Sequence, residues 1–248
     1  MTHASDPPPI SARLRAVARA CLHGARVADV GADHARLGEY LIRSGVARSV
    51  ICTDLNDAPV RKARARMEGV GAQAGVRQGD GLDPILPGEV DVVCIAGMSG
   101  RLMVDILQRG EAALTHVSRL ILQPLCHEGD LREWLMRQSW RVLAERMAEE
   151  RGRQYDTIVA AQGDGMAPYK DGDLRAKLEM GPFLSARPDG AFRRKWERKL
   201  EHLRIVLAGR EGSGDDTGAA AVRGEISRVE VVLARVYIVQ CKRPWLIS

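Results

Sequence analysis

Two short runs, VVCIA (Val92–Ala96) and LIL (Leu120–Leu122), are apolar at every position. A strand that is apolar at both phases of its pleat must be covered on both faces, which calls for a mostly parallel sheet between layers of helices. The surrounding pattern supplies those layers. Strands are predicted over 26–30, 49–53, 76–78, 90–95 and 120–123, alternating with helices over 36–44, 59–68, 101–109 and 129–138. A further helix comes first, with Leu14, Val17, Ala18, Cys21 and Leu22 on one face and Ser11 as its N-cap. After 138 the alternation stops. Two strands, 141–147 and 155–161, follow each other directly around EERGRQ, which reads as a hairpin connection.

Beyond 162 the composition changes, and GDGMAPYKDGD reads as a linker. Phe192, Trp196, Leu200, Leu203 and Leu207 then recur three or four apart, as do Val222, Ile226, Val229 and Leu233. Joined by the glycine-rich EGSGDDTG, these stripes predict an antiparallel helical hairpin packed as a small coiled coil. The expected organisation is a disordered stretch at 1–10, an α/β domain over 11–163, the helical domain over 164–236 and an unassigned apolar tail at 237–248.

The stretch RVADVGADHARLGEYL (Arg26–Leu41) is a strand, a glycine turn and a helix, the unit that presents backbone N–H groups and a helix start to a ligand. It lacks the dinucleotide fingerprint G-x-G-x-x-G, because Asp33 stands at the second glycine. A carboxylate and an imidazole, Asp33 and His34, thus face the ligand. Asp54 and Leu55 follow the second strand, where an acid accepts from ribose hydroxyls. Asp80 and Gly81 follow the third, where adenine's exocyclic amine needs an acceptor. The fourth ends in IAGMSG, whose Ala96, Gly97 and Met98 allow close approach to the backbone. Any one of these acids could be a plain helix cap. Together they ring one sheet edge and suit S-adenosylmethionine, which has no pyrophosphate to cradle, better than NAD. A mostly parallel seven-stranded, Rossmann-like sheet with an antiparallel hairpin at one edge also resembles the class I methyltransferases.

A net charge of +5 and a pI near 9.1 favour an anionic partner. Between Lys170 and Arg210 there are eleven Lys or Arg against six Asp or Glu, densest at Arg193, Arg194, Lys195 and Arg198. These are candidate phosphate contacts, or simply the solvated face of a coiled coil. The five cysteines form no metal pattern and read as free thiols in a reducing cytoplasm, so no metal is expected. The N-terminus is not a signal peptide, and no apolar run reaches the roughly 18 residues that span a bilayer.

The sequence resembles the bacterial tRNA adenine(22)-N1-methyltransferases, the TrmK family. The similarity runs from about Ser11 to Leu203 and rests on VADVGADHA, RQGDGL, IAGMSG, RLILQP, LREWL, GPFL and KWERKL. It implies a class I methyltransferase domain, a C-terminal helical coiled coil, S-adenosylmethionine as cofactor and the D-arm of tRNA as substrate. Three departures stand out. Ser99 replaces a family glycine and would be strained if φ there were positive. Leu125 replaces an asparagine, and Arg36-Leu37-Gly38 stands where the family has Tyr-Leu-Pro.

N1 of adenine carries an in-plane lone pair, so methyl transfer needs no covalent enzyme intermediate. It does need the base drawn out of its stack and a group to stabilise the positive charge formed on it. Asp33 is the candidate for that role, with His34 orienting it, while Asp29 and Gly31 shape the turn at the methionine end. Gln123 is a candidate contact to tRNA. The rival readings are a methyltransferase of another acceptor, small molecule or protein, and an RNA-binding homologue with impaired catalysis. Whether the chain is monomer or dimer stays open.

Overall fold

The computed structural model describes the backbone of residues 7–241 and the side chains of residues 7–234. In chain order the elements are α1 (Ala12–Ala20), β1 (Ala25–Val30), α2 (Arg36–Arg43), β2 (Ala47–Asp54), α3 (Asp57–Met67), β3 (Ala74–Gln78), β4 (Val92–Met98) and α4 (Gly100–Arg109). Then come α5 (Glu111–Leu114), β5 (Arg119–Pro124), α6 (Glu128–Arg137), β6 (Trp140–Glu150) and β7 (Arg153–Gln162). A 3-10 turn at Ala167–Tyr169 leads to α7 (Leu174–Met180), α8 (Pro182–Ala186), α9 (Gly190–Gly212) and α10 (Asp216–Cys241).

All seven strands join one sheet in the order β3-β2-β1-β4-β5-β7-β6. The first five are parallel, and β7 runs antiparallel between β5 and β6. This is the class I methyltransferase sheet, closed by the edge hairpin that EERGRQ signalled. Val92–Ile95 and Leu120–Leu122 are buried throughout, as strands sandwiched between helices must be. One face packs Met103, Leu107, Leu131 and Leu135 from α4 and α6. The other packs Val17, Leu37, Leu41, Ala63 and Met67 from α1, α2 and α3. Gly38 lets α2 lie close against β2, since a Cβ there would stand 2.6 Å from Cys52 Sγ. Strand order reverses between β1 and β4, and their carboxyl ends diverge there to leave the crevice where ligands of such sheets bind.

The stripes of 191–207 and 219–234 form an antiparallel helix pair, α9 against α10, packed through Trp196, Leu200, Leu203, Val229 and Leu233. The glycine-rich loop shrinks to Ser213–Asp215, because the helices run into EGSGDDTG from both sides. The expected linker is mostly exposed but anchored at two points. Tyr169 is buried, and Gly165 lies so close to Met136 that a Cβ would meet its carbonyl oxygen at 2.2 Å. Most of the stretch expected to be disordered lies outside the described residues, as do the side chains of the tail, while Ile10 is buried against the α1 face.

A buried ion cluster joins the sheet to the helices that follow it. Arg132 of α6 is fully buried and donates to Glu145 Oε1 (2.7 Å), to Asp156 Oδ2 (2.8 Å) and to the carbonyls of Leu178 and Glu179 (3.1 Å each). Lys195 of α9 completes it, its Nζ 2.8 Å from Asp156 Oδ1 and 2.7 Å from Glu128 Oε1. Burial alone would raise the Asp156 carboxyl, but Lys195 and Arg132 outweigh it and hold the group below its ordinary value.

Candidate functional site

A cleft of about 520 Å³ opens between the carboxyl ends of β1 and β4. Asp29, Gly31, Ala32, Asp33, His34, Arg36 and Leu37 supply one wall and Ala96, Gly97 and Met98 the other, with Ser11, Arg13, Leu14 and Glu150 completing the lining. The turn after β1 is tightly held. Gly31 and Ala32 N–H donate to the Thr53 carbonyl (2.8 and 3.0 Å). Asp33 N–H donates to Asp54 Oδ2 at 3.1 Å, and Asn56 N–H to the other oxygen of that carboxylate at 3.0 Å. Gly31, Asp33 and Ala35 all have left-handed backbone, with φ of +67°, +50° and +52°. Glycine and aspartate tolerate this. Alanine does not, so the fully buried Ala35 stores strain of about 1–3 kcal/mol at a turn facing the cleft.

Bare backbone shapes both walls. A Cβ on Gly31 would stand 1.9 Å from Met98 Cε, so the Met98 side chain occupies the space that glycine leaves. Gly97, at φ +81°, lies under the Arg13 guanidinium, where a Cβ would be 3.3 Å from Nη1. Ser99 has φ −70° and carries no strain. It is the N-cap of α4 and accepts from Leu102 N–H, so the serine supplies a cap.

Asp29 sits at the base of the cleft, only 4% exposed. Its Oδ2 accepts from Gly38 N–H at 3.2 Å, and among the described residues it pairs with no cation. Burial pushes its carboxyl up to about 7, only partly offset by the Gly38 N–H. A buried carboxyl with no counter-ion among the described residues suits a ligand that brings positive charge. Arg13 provides the opposite charge nearby, its Nη1 donating to Gln123 Oε1 at 3.0 Å.

The other candidates divide. His34 Nε2 lies 3.5 Å from Asp33 Oδ1, and the Asp33 side chain is 70% exposed at the cleft. Asp54 joins the site through Asp33 N–H, with Leu55 exposed beside it at the end of β2. Asp80 forms an ion pair with Arg109 at 2.5 Å, whose hydrogen bond holds its carboxyl below the usual range. Gly81 packs inward on its Cα side: a Cβ there would meet Ile106 Cγ2 at 2.8 Å, and its carbonyl accepts from Thr53 Oγ1. It is a packing glycine.

Gln123 is fully buried, with both amide atoms occupied by Arg13 and by the Pro124 carbonyl, so it cannot reach tRNA. Lys195 belongs to the buried ion cluster and is likewise withdrawn from any RNA surface. Arg194 pairs with Glu149, and Arg198 donates to the Gly152 carbonyl at 3.1 Å. Arg193 lies 3.6 Å from Glu197. The basic run on α9 is thus largely answered by the protein's own acceptors. Two lining residues carry no distinguishing mark in the sequence. Arg13 is one arginine among several in α1, and Glu150 lies inside the hairpin pattern.

The chain matches the family model described as tRNA (adenine(22)-N(1))-methyltransferase over residues 27–230. It is 39% identical over 199 residues to a Bacillus subtilis tRNA (adenine(22)-N(1))-methyltransferase, covering 79% of this chain and 84% of that one. The crystal structure of the B. subtilis tRNA methyltransferase TrmK superposes with a TM-score of 0.87 at 34% identity, covering 91% of this chain and 99% of that one. Streptococcus pneumoniae Sp1610, solved in complex with S-adenosyl-L-methionine, superposes at 0.82 with 33% identity, covering 91% and 100%.

Proposed function

The chain belongs to the tRNA (adenine(22)-N(1))-methyltransferase family, and on that premise we propose how its cleft performs the reaction. The protein is an S-adenosylmethionine-dependent methyltransferase acting at N1 of adenosine 22 of tRNA. That adenosine lies in the D-arm, and the enzyme works in the cytoplasm.

The observation that carries the site assignment is Asp29, a buried carboxylate that pairs with no cation among the described residues, at the base of a glycine-walled cleft. It fits the positively charged end of S-adenosylmethionine. Arg13 fits the amino-acid carboxylate, with the turn at Gly31–Ala32 beside it. Asp54 takes the ribose hydroxyls with its free lone pairs, Leu55 flanks the adenine, Asp80, steadied by Arg109, accepts from the exocyclic amine, and Ala96–Met98 wall the methionine end beside Arg13. When bound, S-adenosylmethionine supplies a methyl group activated by its sulfonium. Asp33, mostly exposed where the cleft opens, stabilises the positive charge that develops on the target adenine, and His34 limits where its carboxylate can turn. Ser99 acts as an ordinary helix cap, so a serine in place of the family glycine brings no backbone strain to the site.

Asp54→Ala tests the cofactor assignment. Hydrogen bonds to a charged group contribute about 1.5–3 kcal/mol, so S-adenosylmethionine should bind roughly 10- to 100-fold more weakly by calorimetric titration. Unchanged affinity removes Asp54 from the site.

A further inference from the structure

We propose that the groove between α1 and β6 is a docking track for the sugar-phosphate backbone of the tRNA strand that enters the cleft, an inference resting on tRNA as the substrate. The groove has a volume of about 710 Å³ and holds four arginines, Arg15 and Arg19 from α1, Arg146 from β6 and Arg119 from the start of β5. Among the described residues none of the four forms an ion pair. Arg15 and Arg146 reach only backbone carbonyls, those of Ile10 and Glu145. Arg119 donates to the Ala20 carbonyl at 3.1 Å, and its Nε is buried with no partner. Glu149 also lines the groove, but it is already bridged to Arg194. The groove therefore carries uncompensated positive charge, whereas the denser basic run on α9 is mostly neutralised.

Position makes this charge useful. The groove and the cleft share two elements, so the charge lies on the same two elements that border the cleft. α1 sends Arg13 into the cleft and Arg15 into the groove, while β6 ends with Glu149 in the groove and Glu150 in the cleft. Arg15 and Arg19 are exposed and four residues apart, about 6 Å along the helix, which suits successive phosphates of one strand. Guanidinium forks match phosphate oxygens bidentately. Ala12, Ala16 and Ala148 keep part of the surface between the arginines low, beside Leu143 and Met147, so a ribose backbone can lie close there.

The test combines Arg15→Glu, Arg19→Glu and Arg146→Glu in one protein, with Lys62→Glu on the exposed face of α3 as a control of equal sign. Binding and methylation of unmodified tRNA are measured from 50 to 200 mM salt. The triple variant should raise the tRNA Kd and KM at least about 10-fold and leave kcat at saturating tRNA and the S-adenosylmethionine Kd within about twofold. Its plot of log Kd against log salt should become shallower by roughly 0.7–0.9 for each phosphate no longer neutralised. Lys62→Glu should change none of these. If the triple variant fails to fold, as judged by an inability to bind cofactor, Arg15→Gln and Arg146→Gln are measured singly for the same trend. Wild-type tRNA affinity and salt slope in folded variants, or an equal loss in the Lys62 control, overturn the docking track. A wild-type protein that methylates tRNA while the variants match it removes this inference alone. A wild-type protein that neither binds nor methylates tRNA removes the functional reading with it.

Discussion

Asp33→Asn should lower kcat for tRNA methylation on the order of 10²- to 10³-fold, the usual effect of removing one preorganised group that answers transition-state charge. Its affinity for S-adenosylmethionine should stay within about threefold. The substitution isolates the charge because asparagine also accepts the left-handed backbone at this residue, φ +50°, and keeps the N–H that binds Asp54. Single-turnover transfer of a labelled methyl group, with cofactor binding measured separately, reads the two quantities apart. A large loss of cofactor affinity would make Asp33 a cofactor ligand. Full activity would show that the charge on the adenine is answered elsewhere.

Arg132→Met should destabilise the protein by about 3–5 kcal/mol, the cost of breaking a buried ion pair and leaving charge behind. Of the two nearly inaccessible carboxylates, Asp156 would then keep Lys195, while Glu145 would keep only the Phe183 and Leu184 N–H groups and no cation among the described residues, and the Leu178 and Glu179 carbonyls near the end of α7 would lose their donor. For a chain of this size the midpoint of thermal unfolding should fall on the order of 10 °C. Arg132→Lys keeps the charge and loses the fork, so it should fall between the two. A melting curve for Arg132→Met that overlays the wild type would show that the cluster contributes little to stability.

The sheet was legible because burial on both faces leaves a sequence mark. VVCIA and LIL cannot lie anywhere but between helices, and the strand pair after 138 has no helix-length gap. The turn chemistry was legible for a similar reason, since a carboxylate or glycine at a strand end sits at a fixed place in such a fold. Pairings between distant segments were not. Lys195 and Arg194 belong to one basic run, yet one is half-buried against Asp156 and Glu128 and the other is exposed against Glu149. Local composition carries no sign of that difference. Gln123 ends a strand on the ligand side, but its side chain turns inward to Arg13, 110 residues away. The short helices α5, α7 and α8 span four to seven residues, too few for a period to show. Gly81 and Gly97 both have positive φ, and only their neighbours, Ile106 and Arg13, separate a packing glycine from a cleft glycine.

Delivery of a methyl group from this cleft to N1 of one adenosine in tRNA has a direct test. The protein is incubated with methyl-labelled S-adenosylmethionine and unmodified tRNA, and the label is then mapped by nucleotide. Label is expected at N1 of adenosine 22, and none in a tRNA with guanosine at that position. Label on another nucleotide, or only on protein or small-molecule acceptors, would contradict this function.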